Sequence, residues 1–425
     1  MAIVVLALFI IAYLFIALEN SIKINKAATA LIGGVLCWTF YIISEPGKEN
    51  IVESLSRHLG DISQILFFLL GAMTIVELID AHNGFSIITK RITTKSKRKL
   101  IWILGLISFF LSAVLDNLTT TIVMVSLARK LVSEKEDRLM FVGLIIIAAN
   151  AGGAFSPIGD VTTTMLWIGG RITATKIIVE LIVPSFICLL VPILILQMFL
   201  KGEIKPNQKP VEQQPADLTG FQRNIVFFCG IGALLLVPVF KTVTHLPPVM
   251  AMMLALGTLW IVVEILYRGN GEVRKQYTVA HILQRIDTPS ILFFLGILLA
   301  IGALESMGQL HSMAVGLDTH LKNTNVIVIA IGLLSSIVDN VPLVAAAMGM
   351  YDLNQYPKDH YFWEFLAYCT GTGGSALIIG SAAGVAAMGI EKISFSWYLR
   401  RISWIALAGY FAGALVYLLM EALFK

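Results

Sequence analysis

Apolar residues fall along this chain in blocks of about 17–25, the length of helix that spans a hydrocarbon core. Blocks near 2–18, 27–44, 62–80, 140–170, 177–200, 223–240, 247–267, 288–305, 361–390 and 397–422 predict membrane helices. Two further blocks, near 100–131 and 326–350, carry a polar break in mid-block: LSAVLDNLTTT (111–121) and LSSIVDNVPLV (334–344). These predict helical hairpins that enter and leave on one face. The blocks at 140–170 and 361–390 are interrupted as well, by ANAGGAFSPIGD (149–160) and CTGTGGSALIIGS (369–381). Irregular backbone at membrane depth is tolerated only where protein or a water-filled cavity surrounds it.

The pattern repeats. ILFFLLGAMTIVEL (65–78) resembles ILFFLGILLAIGAL (291–304), Asp116-Asn117 returns as Asp339-Asn340, and Gly152-Gly153 returns as Gly373-Gly374, at offsets of 226, 223 and 221. Each half then holds three helices, a hairpin, a broken helix and a final helix. A hairpin adds no crossing, so each half crosses five times, and an odd number inverts the second half. The expected fold is an all-α polytopic membrane protein, an inverted repeat with broken helices meeting at mid-membrane, as in secondary transporters.

Composition agrees. The 425 residues are 57% hydrophobic and 14% charged, with a mean hydropathy of +0.83, unlike a soluble chain of this length. A net charge of +4 suggests no nucleic-acid partner. Cys37, Cys188, Cys229 and Cys369 lie inside apolar blocks without metal or disulfide spacing. The N-terminus lacks a basic residue before its apolar run, so it reads as a first membrane helix. Placing the 81–99 loop in the cytoplasm puts 23 of the 31 Lys and Arg residues there, as the positive-inside rule requires. Both termini are then extracytoplasmic, in a bacterial inner membrane. The segment 201–222, with three prolines, reads as a cytoplasmic linker.

The chemistry centres on the breaks. Asp116, Asn117, Asp339 and Asn340 can cap the half-helices that follow them. Carboxylates at mid-membrane are also functional by default, and hard cations prefer carboxylate, amide and carbonyl oxygens. Desolvation favours the protonated form of a buried Asp, which lets it exchange a proton for a metal ion. Asn150, Ser156 and Asp160 in the first break, and Thr370, Thr372 and Ser375 in the second, are further oxygen donors. Gly152, Gly153, Gly373 and Gly374 are expected in unwound backbone that turns carbonyls toward an ion. Asp160 has Ser381 as its counterpart and makes the site asymmetric. Ser112 and Ser335 precede each tip Asp by one turn and share its face. Thr162, Thr163 and Thr164 read as packing and backbone bonding. Glu77, Asp80, His82 and Glu305 lie near helix ends, either as solvated charge or as a proton path or pH sensor. No Walker loop, zinc motif or nucleophile elbow is present, so neither an enzyme nor a cofactor is expected.

Paired tips with a polar-Asn dipeptide, each followed by a Gly-Gly broken helix, resemble the ion-transporter superfamily of dicarboxylate symporters, arsenite permeases and NhaD antiporters. MTIVELIDAHNGF (73–85), LDNLTTTIVM (115–124) and FSPIGDVTTTMLW (155–167) are similar to NhaD sequences in particular. The resemblance implies exchange of Na+ or Li+ for H+, a homodimer, and an elevator-like transport domain moving against a scaffold. The scaffold is then 1–98 and 223–325, and the transport elements 99–200 and 326–425. Dicarboxylate symporters carry Ser-Asn-Thr at both tips, whereas this chain has acids that would repel an anion. The alternatives are a permease for arsenite, another small oxyanion or a carboxylate, and a membrane receptor with a degenerate transporter fold.

Overall fold

The computed structural model describes residues 2–17, 19–44, 48–89, 92, 94–204, 219–268 and 277–424. Most of the expected linker, with the basic residues at 90, 91, 205, 209, 274 and 275, lies outside them. Among the described residues the fold is helical, with no strand. The first half runs α1 (Ala2–Ala17), α2 (Lys26–Ser44), α3 (Lys48–Ala81), a hairpin of α4 (Lys97–Ser112) and α5 (Asn117–Leu131), a broken helix of α6 (Lys135–Ala154) and α7 (Val161–Ile168), and α8 (Ala174–Phe199). The second half runs α9 (Gly220–Thr244), α10 (Pro248–Leu266), α11 (Thr288–Ser306), α12 (Gln309–Leu321), a hairpin of α13 (Thr324–Leu334) and α14 (Asn340–Met350), a broken helix of α15 (Tyr361–Gly373) and α16 (Ala382–Glu391), α17 (Phe395–Arg401) and α18 (Ser403–Phe424). Among the described residues, eight helices are long and apolar enough to cross a membrane: α2, α3, α6, α8, α9, α10, α11 and α18. With α1 and the α15/α16 pair they make five crossings in each half.

The repeat is visible in the packing. The third helix of each half lies on the second of the other: α11 on α2, and α3 on α10. The return arm of each hairpin lies on the far piece of the opposite broken helix: α5 on α16, and α14 on α7. The correspondence reaches single atoms. A Cβ on Gly152 would stand 2.0 Å from the Phe109 carbonyl oxygen, and one on Gly373 would stand 2.0 Å from that of Gly332. Ser112 Oγ donates to the Ala149 carbonyl at 2.6 Å, and Ser335 Oγ to the Thr370 carbonyl at 3.0 Å.

Three expectations change. Helix α3 begins at Lys48 rather than near 62, because Ile51, Ile62 and Ile65 carry a buried stripe back along it. Helix α12 was not expected, since its sequence is too polar to span. It forms on an amphipathic pattern that buries Leu310 and Ala314, one turn apart. The helix breaks are also shorter, so α6 continues through Asn150, Gly152 and Gly153 to Ala154, and α15 through Gly373 with Gly374 as its cap. The paired glycines are therefore not unwound backbone. The entering hairpin arm lies too close to Gly152 and Gly373 for a side chain, while Gly153 and Gly374 face the returning backbone of their own break at Gly159 and Gly380.

Candidate functional site

Four half-helices start inside the bundle, and each begins with a side-chain cap. Asp116 caps α5, Asp160 caps α7, Asp339 caps α14 and Ser381 caps α16. A helix start leaves N–H groups unsatisfied and carries the positive end of the dipole, which favours an ionised carboxylate there. Capping and ion binding are thus not rival roles for these acids.

Asp160 is the centre. It is 1% exposed. Its Oδ1 accepts from the Thr162 N–H at 2.8 Å and the Thr162 hydroxyl at 2.7 Å. Its Oδ2 accepts from Asn117 Nδ2 at 2.6 Å, and Asn340 Nδ2 stands 3.4 Å from both oxygens. The two hairpin tips, 223 residues apart in sequence, therefore converge on one carboxylate of the first broken helix. Asn117 also donates to Asn150 Oδ1 at 3.1 Å. Asn150 Nδ2 in turn reaches Ser375 Oγ at 2.8 Å and Ser381 Oγ at 2.9 Å in the second broken helix. One network of buried amides, hydroxyls and a carboxylate ties both tips to both breaks.

A cavity of about 80 Å³ opens beside it, with Asp116, Asn117, Asp160, Asp339 and Asn340 on one side and Phe68, Met73 and Phe294 of α3 and α11 on the other. Asp116 Oδ1 accepts from the Thr119 N–H at 2.7 Å and its Oδ2 from the Thr119 hydroxyl at 2.9 Å. Asp339 accepts from the Val341 N–H at 3.3 Å and pairs with Lys26 Nζ at 3.4 Å.

Other sequence candidates are committed elsewhere. The Ser112 and Ser335 hydroxyls latch the hairpins to the broken helices. The Ser156 hydroxyl donates to the Ala113 carbonyl at 2.5 Å. The Thr370 and Thr372 hydroxyls bond back to Leu366 and Tyr368 within their own helix. Glu305 lines a separate cavity of about 410 Å³ with His58, Asp61 and Arg171. Glu77, Asp80 and His82 line neither cavity. Asp80 is exposed, while His82 is fully buried against Tyr267 and Tyr277. Burial pushes the His82 imidazole below its ordinary pKa, the opposite of solvated charge. Sequence reasoning missed three participants: Lys26, Thr119 and the Thr162 hydroxyl. The last two were legible as Asp-x-x-Thr and Asp-x-Thr capping spacings. Lys26 carried no signal beyond that of a loop charge.

A family of citrate transporters matches residues 6–371. Sodium/proton antiporter 1 of Arabidopsis thaliana is 49% identical, over 98% of this chain and 72% of its own length. The Na(+)/H(+) antiporter NhaD of Vibrio cholerae is 31% identical, over 98% of this chain and 91% of its own. The YdaH transporter of Alcanivorax borkumensis shares the fold with a TM-score of 0.60 at 10% identity, covering 94% of this chain and 98% of that one.

Proposed function

Since the chain matches the citrate transporter family and belongs with the NhaD-type antiporters, we propose that it exchanges Na+ for H+ across a membrane through the cavity beside Asp160. It is a multi-pass membrane transporter and not an enzyme. The observation that carries the reading is the convergence of Asn117 and Asn340 on Asp160, with Asp116 and Asp339 lining the same small cavity. Three carboxylates around one small cavity suit a hard cation, and the two amides, which donate to Asp160, hold its carboxylate in place between the tips. The same carboxylates take protons when the cation leaves, so one site serves both substrates in turn. The acids and Lys26 also bear on the substrate for which the family is named. Among the described residues lining the cavity, three carboxylates face one ammonium, a balance that opposes a tricarboxylate.

The placement of the two cavities supports alternating access. Both lie between α3 and α11 on one side and α7 and α14 on the other: Ile65, Leu298, Met165 and Ala345 line the larger, and Phe68, Phe294, Thr164 and Val341 the smaller. They follow one another along a single interface. We read α1–α3 and α9–α11 as scaffold, and the hairpins, broken helices and α8 and α18 as the group that moves, elevator-fashion.

Purified protein in liposomes, with proton flux measured against Na+, Li+, K+ and citrate gradients, tests the assignment. Na+, with or without Li+, is expected to drive proton flux, and Asp160→Asn to abolish it while leaving the protein inserted. Citrate-coupled flux without sodium exchange, or an active Asp160→Asn variant, would overturn the proposal.

A further inference from the structure

Asp116 and Asp339 hold equivalent places in the repeat, yet their partners differ. At the first tip Thr119 gives one donor to each carboxylate oxygen of Asp116, at 2.7 and 2.9 Å. At the second tip the offset of 223 puts Pro342 where Thr119 stands, and proline has neither an N–H nor a hydroxyl. Asp339 Oδ1 is left with the Val341 N–H at 3.3 Å. Its Oδ2 takes Lys26 Nζ at 3.4 Å, from the first residue of α2. The ammonium also rests 4.4 Å above the Phe293 ring of α11, a contact that favours a cation. Lys26 and Asp339 both line the site cavity. Helix α10, the counterpart of α2, contains no basic residue, so the first tip has no such partner from the repeat.

We infer that Lys26 is a tethered cation that stands in for the transported ion at Asp339 and sets the affinity of the site. The inference rests on the reading of the cavity as a sodium site. An arriving ion gains the full attraction of Asp339 only by displacing the ammonium. Because the lysine belongs to the same molecule, it competes at a fixed effective concentration whatever the sodium level. The site is therefore weaker than its three carboxylates alone would make it. A transport site benefits from this, since binding must be firm enough to load and weak enough to release. The pair also spans the boundary between α2 and the α13/α14 tip. Lys26 is thus a positioning residue, and need not touch the ion.

Equilibrium binding of radioactive sodium to the purified protein, with the sodium Km of exchange in liposomes, tests this. Lys26→Gln is expected to lower both the sodium Kd and Km by about two- to fivefold, the worth of a partly exposed ion pair, and Lys26→Arg to keep the wild-type values. Phe293→Leu, which keeps the lysine but removes its aromatic rest, is expected to shift the Kd the same way by less. An unchanged or higher Kd in Lys26→Gln, with only the maximal rate reduced, would show a structural contact and overturn the inference. If Lys26→Gln does not fold, an unchanged Kd in Phe293→Leu overturns it. Wild-type protein that neither binds nor exchanges sodium would instead remove the sodium site on which the inference stands.

Discussion

Asp116 has φ 139° and ψ 164°, a backbone region that only glycine enters without strain. A non-glycine residue there costs on the order of 1–3 kcal/mol and persists only when its surroundings enforce it. Here the Thr119 N–H and hydroxyl hold the carboxylate. Asp339 reaches the same place in the fold with φ −48°, so the strain belongs to one tip only. Glycine would relieve the strain and lose a cap, which glycine replaces at a cost of only a few tenths of a kcal/mol. Asp116→Gly should therefore match or exceed the wild type in thermal unfolding while losing exchange. Asp116→Asn should also lose exchange but keep the strain. A melting temperature clearly below wild type in the glycine variant would show that the conformation is not strained. Strain kept at an acid lining the cavity, and removable only with loss of transport, is what a functional constraint predicts.

At the scale of helices, the contacts that position the site run between elements distant in sequence. The buried Glu391 at the end of α16 is bridged by Arg138 of α6 at 2.9 Å and by Arg129 of α5 at 3.2 Å, joining the second half to the first away from the cavity. Between the group proposed to move and the scaffold, the joint is different. Phe68 of α3 meets Trp167 of α7 edge to face at 6.4 Å, and Lys241 of α9 donates to the Trp167 carbonyl at 3.0 Å and lies over its ring. Aromatic faces can slide, and the Lys26–Asp339 pair across the same boundary is partly exposed and separates at far less cost than the pairs on the buried Glu391. If α7 moves against α3, Phe68→Cys and Trp167→Cys joined by a short bifunctional thiol reagent should stop exchange, and cleavage of the reagent should restore it. Full exchange with the crosslink in place would refute relative motion at this joint.

For the whole molecule, the question is how proton and sodium gradients are coupled. If both substrates use Asp160 and the two tip acids, each weakens the other by the same factor, as linkage requires. Protonation neutralises the acids, so acidification removes the sodium site and alkalinisation restores it. Falling pH should raise the sodium Km, with the rate at saturating sodium changing much less. A separate sensor would lower the saturated rate instead. His82 is a poor sensor on this structure, because its lowered pKa keeps it neutral through the neutral range. Exchange measured against sodium at several pH values separates the two. A flat Km with a collapsing maximal rate would rule out shared-site competition.

The sequence alone determined the parts that depend on chain length and local chemistry. Spans follow from apolar block length, helix breaks from polar residues inside those blocks, and the repeat from the spacing of Asp-Asn and Gly-Gly. The fold class and most of the central polar residues were legible for that reason: a buried acid in an apolar block is too costly to be accidental. Tertiary structure decided what each of those residues faces. Ser112, Ser335, Thr370 and Thr372 share a face or a break with the site, yet their hydroxyls are spent on helix carbonyls, because a hydroxyl in an apolar interior takes the nearest acceptor. The glycine pairs are equally visible in the sequence, but only the 2.0 Å approach of Phe109 and Gly332 shows that they serve close packing rather than unwinding. Lys26 reads as a loop charge until α2 is laid against the second tip, 313 residues away. Local pattern fixes where polarity is placed along each helix; which polar groups meet depends on contacts between distant segments, and these exist only in the folded chain.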